Sequence, residues 1–404
     1  MRVASDKVWS VAIVAMSQVA ALALWFSITA VAPDLAAQFK LAPSQIASLA
    51  LAVQLGFVVG GLASAMLGLA DRIDPRRLFA IGAVVGAGAN ALFLVLDPHS
   101  AAAVATRLVV GASLALVYPV GMKLAAGWAT KGDAGLLVGI LVGALTLGSA
   151  APHGFAWAGG VDWRSGVIAT SVSAVAAALL IQFSKLGPKH APAQRFDPRA
   201  MLDIVRDRGV RLATLGYLGH MWELYAGWTW IGALMAASFE ACTHHASTRA
   251  GKLAAFAVVA IGAVGCVVAG WFADRVGRTT VTMIAMAASA LACLAFGAVF
   301  GLKPAWIIVV GLIWGVAVIA DSAQFSASIA ELAPPARVGT LLTVQTALGF
   351  ALTAVSIRLL PMWTEAVGWR WAFAPLAIGP ALGVLAMARL RATPEAAKLA
   401  GGKR

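Results

Sequence analysis

Gly68-Leu69-Ala70-Asp71-Arg72-Ile73-Asp74-Pro75-Arg76-Arg77 and Gly270-Trp271-Phe272-Ala273-Asp274-Arg275-Val276-Gly277-Arg278 are two versions of one stretch, and they decide how this chain is read. Glycine, alanine, Asp-Arg and a closing arginine recur in the same order, 202 positions apart in a chain of 404. A second echo pairs Trp163-Arg164 with Trp369-Arg370 at an offset of 206. Two independent echoes at nearly one offset indicate a duplicated chain. Both copies of the first stretch end a long apolar run with charge, so the number of such runs comes next.

Hydrophobic residues make up 61% of the chain and charged residues 12%, about half the charged share of a soluble domain. So few ionised side chains cannot cover a water-facing surface, and most of the exterior must face lipid. A spanning helix needs roughly 20 apolar residues. Runs of that length lie near 8–32, 45–69, 78–96, 101–125, 134–157, 163–184, 210–237, 250–272, 279–300, 304–330, 337–361 and 369–390. The sequence therefore predicts an all-α membrane protein of 12 transmembrane helices in two pseudo-symmetric six-helix bundles, 1–184 and 210–404, joined by a cytoplasmic linker at 185–209. That linker holds Pro188, Pro192 and Pro198 and is too short for a soluble catalytic domain. The first apolar run is too long for a signal-peptide core and reads as the first span. Cys242, Cys266 and Cys293 are too few for a disulfide framework.

The net charge of +13 invites a nucleic-acid reading, but its placement argues otherwise. With the N-terminus inside, 21 lysines and arginines fall in cytoplasmic segments, Lys131, Arg195 and Arg404 among them, against six outside. Lys252 is one of those six, and Arg107, Lys123 and Arg358 lie within spans. By the positive-inside rule both termini are expected in the cytoplasm of a cell inner membrane. The excess is a topology signal that needs no nucleic acid to explain it.

The duplicated stretch resembles the G-x-L-A-D-R-x-G-R-R signature loop of the major facilitator superfamily, and the resemblance covers the whole chain. The second copy keeps the pattern's glycine as Gly277, whereas Asp74-Pro75 stand there in the first. Arg107 with Gly111 resembles the family's fourth-helix arginine motif. Gly139 and Gly148 have the spacing of its antiporter motif, with Pro152-His153 in place of Gly-Pro, a departure that counts against drug–proton antiport. The resemblance implies two six-helix halves rocking about a central site, lined by spans one, four, seven and ten. It also implies a gating loop of Asp71, Arg72 and Arg76, echoed by Asp274, Arg275 and Arg278.

Of the seventeen acidic residues, only Glu223 and Asp321 fall well inside a span. A carboxylate at that depth is costly and usually marks a hydrated, functional place. On span seven, Gly216, His220, Glu223 and Gly227 share a face, and the glycines are expected to leave room for water or solute. A carboxylate poised between burial, which favours its neutral form, and a nearby cation, which favours the charged one, can load and release a proton. Glu223, His220 and Asp321 are thus the candidate proton-coupling residues. Arg107 offers a planar fork of donors for an anion, or a fixed interhelical tie. It heads a stripe with Gly111, Leu114 and Tyr118; Trp314 lies seven residues from Asp321, and Gln18 seven from Trp25. Arg107, Tyr118, Trp25, Gln18, Tyr217, Tyr225, Trp314 and Gln324 form the candidate substrate-binding set.

No nucleotide-binding glycine motif, metal cluster or catalytic triad stands out, so no enzyme, cofactor or metal is expected. The expected partners are a small-molecule substrate, protons and the lipid bilayer, with the chain a monomer. Two transport readings remain open. One is proton-coupled movement of a small organic or inorganic anion. The other is proton-driven efflux of hydrophobic or cationic compounds, for which Glu223, Asp321 and the aromatics of span seven speak.

Overall fold

The computed structural model describes residues 2–130, 133–160, 162–189, 197–245 and 247–403. Lys131, Arg195 and Arg404 of the charge count, and residues 190–196 of the expected linker, lie outside them. Regular structure among the described residues is entirely helical, and contacts divide it into two units, Met1–Ala193 and Gln194–Arg404.

The first unit runs through α1 (Arg2–Leu22), α2 (Ser27–Ala30), α3 (Ala32–Phe39), α4 (Pro43–Leu67), α5 (Leu69–Arg72), α6 (Pro75–Leu92), α7 (Ala101–Leu114), α8 (Tyr118–Ala126), α9 (Ala134–Ala158) and α10 (Trp163–Leu180). Their starts follow local chemistry. Ser100 Oγ accepts the Ala103 amide at 3.1 Å and Asp162 Oδ1 that of Arg164 at 3.1 Å, satisfying amides that a first helical turn leaves bare. Proline opens α4 and α6, where no amide hydrogen is needed. Helices α4 and α7 meet backbone to backbone. A Cβ on Gly111 would stand 2.0 Å from the Val53 carbonyl oxygen, and one on Gly56 2.0 Å from that of Leu108. Where lipid removes the hydrophobic drive between helices, such close approach is what holds them.

Two expected spans of this unit are broken. Residues 23–26 separate α1 from α2, and 115–117 separate α7 from α8. The spacings of Gln18 to Trp25 and of Arg107 to Tyr118 were counted along continuous helix, so these breaks interrupt both expected stripes.

The second unit comprises α11 (Asp203–Arg206), α12 (Arg208–Thr243), α13 (Thr248–Ala260), α14 (Gly262–Val276), α15 (Arg278–Val299), α16 (Pro304–Ala320), α17 (Ser322–Leu332), α18 (Val338–Val367) and α19 (Ile378–Arg391). Helix α12 is 36 residues long and begins at Asp207, whose Oδ1 accepts the Val210 amide at 2.9 Å. Helices α16 and α17 meet at Asp321. The duplicated loop turns by two different devices. In the second copy Gly277 takes φ 100°, a conformation that suits glycine. In the first, Asp74 at φ −50° caps α6 through the Arg76 amide at 2.9 Å, with Pro75 following. The Arg76 guanidinium bonded to Asp74 holds that carboxyl below its usual range.

Ten helical stretches among the described residues are long and apolar enough to cross a membrane, from Pro43–Leu67 to Trp369–Arg391. The two other expected spans, on α1 and α12, miss that standard. Arg2, Asp6 and Lys7 crowd the start of α1, and Arg208, Arg211, His220 and Glu223 dilute α12. Lys252, expected in an outer loop, lies within α13 and is buried, because that helix starts earlier than its apolar run.

Candidate functional site

In the second unit a carboxylate is built into the helical core. Glu223, midway along α12, is 1% exposed. Its Oε1 accepts from Ser289 Oγ at 2.6 Å, Cys293 Sγ at 3.0 Å and Trp314 Nε1 at 2.6 Å. Ser289 and Cys293 are four apart on α15 and so share a face; Trp314 comes from α16. Hydrogen bonds to an ionised group contribute about 1.5–3 kcal/mol each, which offsets part of the cost of carboxylate burial. Trp314 can stand there because Gly227 has no side chain: a Cβ on Gly227 would lie 2.4 Å from Trp314 Cζ2. Phe296, Trp314 and Phe373 pack edge to face, their centroids 5.4–6.0 Å apart.

One turn before Glu223, His220 Nδ1 stands 2.8 Å from Asp321 Oδ1, and both side chains are at most 2% exposed. Asp321 occupies the junction of α16 and α17, which aims its carboxylate at α12. His220 Nε2 is buried without a hydrogen-bond partner among the described residues. The glycines of this face do not leave room for water or solute, as the sequence reading expected. A Cβ on Gly216 would meet Met387 Sδ at 2.8 Å and Phe325 Cε1 at 2.9 Å. This unit's own side chains fill those places.

In the first unit the buried charge is Arg107, 1% exposed. Its Nη1 donates to Asn90 Oδ1 at 2.6 Å and its Nη2 to the Leu24 carbonyl at 3.0 Å, inside the break between α1 and α2. Asn90 Oδ1 also accepts from Ser27 Oγ at 2.7 Å, and its Nδ2 reaches Ser171 Oγ at 2.9 Å. Gln18 donates through Nε2 to the Tyr118 carbonyl at 3.0 Å, while Trp25 packs on Phe57 with ring centroids 4.9 Å apart.

The loop charges pair inside their own units. Asp71 pairs with Lys123, whose Nζ also donates to the Ala70 carbonyl at 2.7 Å. Arg76 bridges Asp74 at 2.7 Å, and Arg72 is exposed. In the second unit Arg278 takes Glu331 with both ends of its fork, at 2.6 and 2.8 Å, and stands 3.5 Å from Asp274. Arg275 lies over the Trp271 ring, 3.6 Å from its centroid. Gln324, grouped by the sequence reading with the pathway, is buried and accepts from Arg278 Nη1 at 2.9 Å. Its neighbour is therefore the loop arginine.

The structure thus brings Glu223 to Trp314 and His220 to Asp321. Tyr217 lies 6.1 Å from the His220 ring, and Tyr225 4.9 Å from Phe350. A cavity of about 310 Å³ lined by Trp222, Leu360, Met362, Trp363 and Pro375 is apolar and contains none of the expected site residues. The sequence reading did not single out Asn90, Ser289, Cys293 or Glu331. The available signals were an asparagine inside an apolar run and a Ser–Cys pair at helical spacing.

The family model described as Major Facilitator Superfamily matches residues 14–355. No curated protein matches the chain at the sequence level. Among solved structures, it is similar to the xylose transporter XylE from E. coli in a partially occluded inward open conformation. Identity is 14%, covering 95% of this chain and 98% of that one, with a TM-score of 0.74. It is similar also to the proton:xylose symporter XylE bound to 6-bromo-6-deoxy-D-glucose, at 17% identity, 96% coverage of both chains and a TM-score of 0.68. At these identities the likeness is one of fold.

Proposed function

The chain belongs to the major facilitator superfamily, and on that premise we propose that it is a proton-coupled secondary transporter moving a small organic or inorganic anion by alternating access. It is a multi-pass membrane protein. The proposal counts twelve spans, adding α1 and α12 to the ten apolar stretches. It sets six spans in 1–184 and six in 210–404, joined by 185–209, with both termini cytoplasmic and the chain a monomer.

The observation that carries proton coupling is the seat of Glu223. Trp314 can only donate, so it holds Oε1 as an acceptor. Ser289 and Cys293 carry hydrogens that turn, so they can serve either the ionised or the protonated carboxyl. A group with partners in both states can exchange a proton without dismantling its surroundings. His220 and Asp321, one turn away, are the second exchange pair. That one structural neighbour is described as a proton:xylose symporter agrees with a proton-driven cycle on this fold. Arg107, a cation held by neutral oxygens, supports an anion as the solute. Asp71 with Lys123, Arg76 with Asp74, and Arg278 with Asp274 and Glu331 are proposed as the charge pairs that hold one conformation.

Uptake of small carboxylates and phosphate into proteoliposomes, with and without an imposed pH gradient, tests this. Wild type is expected to run faster with the gradient, and Glu223→Gln to run at one rate in both. A wild-type rate indifferent to the gradient, or a gradient-driven Glu223→Gln, would refute the proton site. The efflux reading is favoured by one observation, the Phe296–Trp314–Phe373 cluster beside Glu223, since aromatic faces attract cations. Saturable export of cationic dyes with no response to anions would decide for it.

A further inference from the structure

Asn90 is fully buried and joins four elements. Its Oδ1 accepts from Ser27 Oγ on α2 at 2.7 Å and from Arg107 Nη1 on α7 at 2.6 Å. Its Nδ2 lies against α10, at 3.2 Å from the Val167 carbonyl, 3.1 Å from Thr170 Oγ1 and 2.9 Å from Ser171 Oγ. The amide's orientation follows from chemistry. Arg107 can only donate and the Val167 carbonyl can only accept, so oxygen must face α7 and nitrogen α10.

A guanidinium at this depth pairs with a carboxylate or with backbone carbonyls. Here both its bonds go to neutral oxygens, Asn90 Oδ1 and the Leu24 carbonyl, and its Nε is buried without a partner. Among the described residues no carboxylate pairs with it. An aspartate at 90 would differ from asparagine by one polar group and would cancel the charge at 2.6 Å. With asparagine there, the guanidinium is held as rigidly but keeps its positive field, which reaches far through a low-dielectric interior.

We propose that Asn90 is a positioning residue that fixes the Arg107 guanidinium while leaving its charge un-neutralised for an anionic solute. The inference rests on the anion reading above and adds the residue that sets the strength of attraction. Asn90 touches no solute; it acts through Arg107.

The test is a double-mutant cycle on the full chain, pairing Asn90→Asp with Arg107→Met and reading melting temperature. Asn90→Asp is expected to lower the melting temperature less beside Arg107, where the ion pair it gains offsets the donor lost to the Val167 carbonyl. In the Arg107→Met background it is expected to lower it further, because the new carboxylate is buried alone. An equal effect in both backgrounds would overturn the proposal, since Asn90 would then be a packing residue indifferent to the charge. The same proteins are titrated with lactate, succinate and phosphate by thermal shift. Asn90→Asp is expected to weaken binding of whichever anion stabilises wild type by at least about tenfold. Unchanged anion affinity in that folded variant would also overturn the proposal. Wild type unmoved by all three anions, with coupling present in the cycle, would overturn the anion reading and leave the hold of Asn90 on the charge standing.

Discussion

Glu223 and Trp314 depend on an absence at residue 227. A methyl group there cannot coexist with the indole at 2.4 Å, so Gly227→Ala is expected to lower stability by about 1–3 kcal/mol through overpacking. It should also displace Trp314 from Glu223, which a thermal melt followed by tryptophan fluorescence would record. A melt and spectrum like wild type would show that α16 moves aside freely. Outside the spans, Asp133 is held by Lys7 and by the Thr130 amide, which lower its pKa to about 2. The folded value lies below the ordinary carboxylate value, so the stabilisation is present at neutral pH and is lost as pH falls from about 4 through 2. The stability gap between wild type and Asp133→Asn should close over that window. A gap that persists at pH 2 would assign the effect to packing. At this scale the sequence identified Glu223, Asp321 and Arg107, because an ionisable side chain in an apolar run stands out. It did not identify Asn90, Ser289 or Cys293, whose small polar groups are common in membrane helices and gain meaning only from what they face.

Helices α4 and α7 make an exacting contact. Gly56 meets the Leu108 carbonyl and Gly111 the Val53 carbonyl, each with no space for a Cβ. Gly56→Ala and Gly111→Ala are each expected to cost about 1–3 kcal/mol. The double variant should cost less than their sum, since the first methyl already parts the helices. Additive losses in detergent melts would mean that the two contacts are independent. The breaks in α1–α2, α7–α8 and α16–α17 are the elements that periodicity could not foresee. The first two interrupt an apolar run with no charge or proline at the break's start, the third falls on Asp321, and each has a specific partner. Arg107 bonds the Leu24 carbonyl in the first break, and His220 faces Asp321 at the third. The runs were legible in the sequence; the interruptions were not, because they are met by residues distant in the chain, as Arg107 meets the Leu24 carbonyl.

For the whole molecule, the charge asymmetry of 21 basic residues against six makes a topological claim. A green-fluorescent-protein fusion at the C-terminus is expected to fluoresce, and an alkaline-phosphatase fusion there to be inactive. A phosphatase fusion after Pro98 should be active. The reverse pattern would invert the chain in the membrane. The sequence by itself determined that this is a helical membrane protein, where its apolar runs lie and which few charges they contain. Those properties are local: transfer of a side chain from water to lipid depends on its own chemistry and the length of its run. Only the tertiary structure decided that Glu223 meets Ser289, Cys293 and Trp314, that Gln324 serves Arg278, and that Arg107 is held by an amide and a carbonyl in place of a carboxylate. Hydrogen bonds act over about 3 Å. Partners separated by 17 to 91 residues are therefore chosen by how helices pack, and no run of neighbouring residues encodes that.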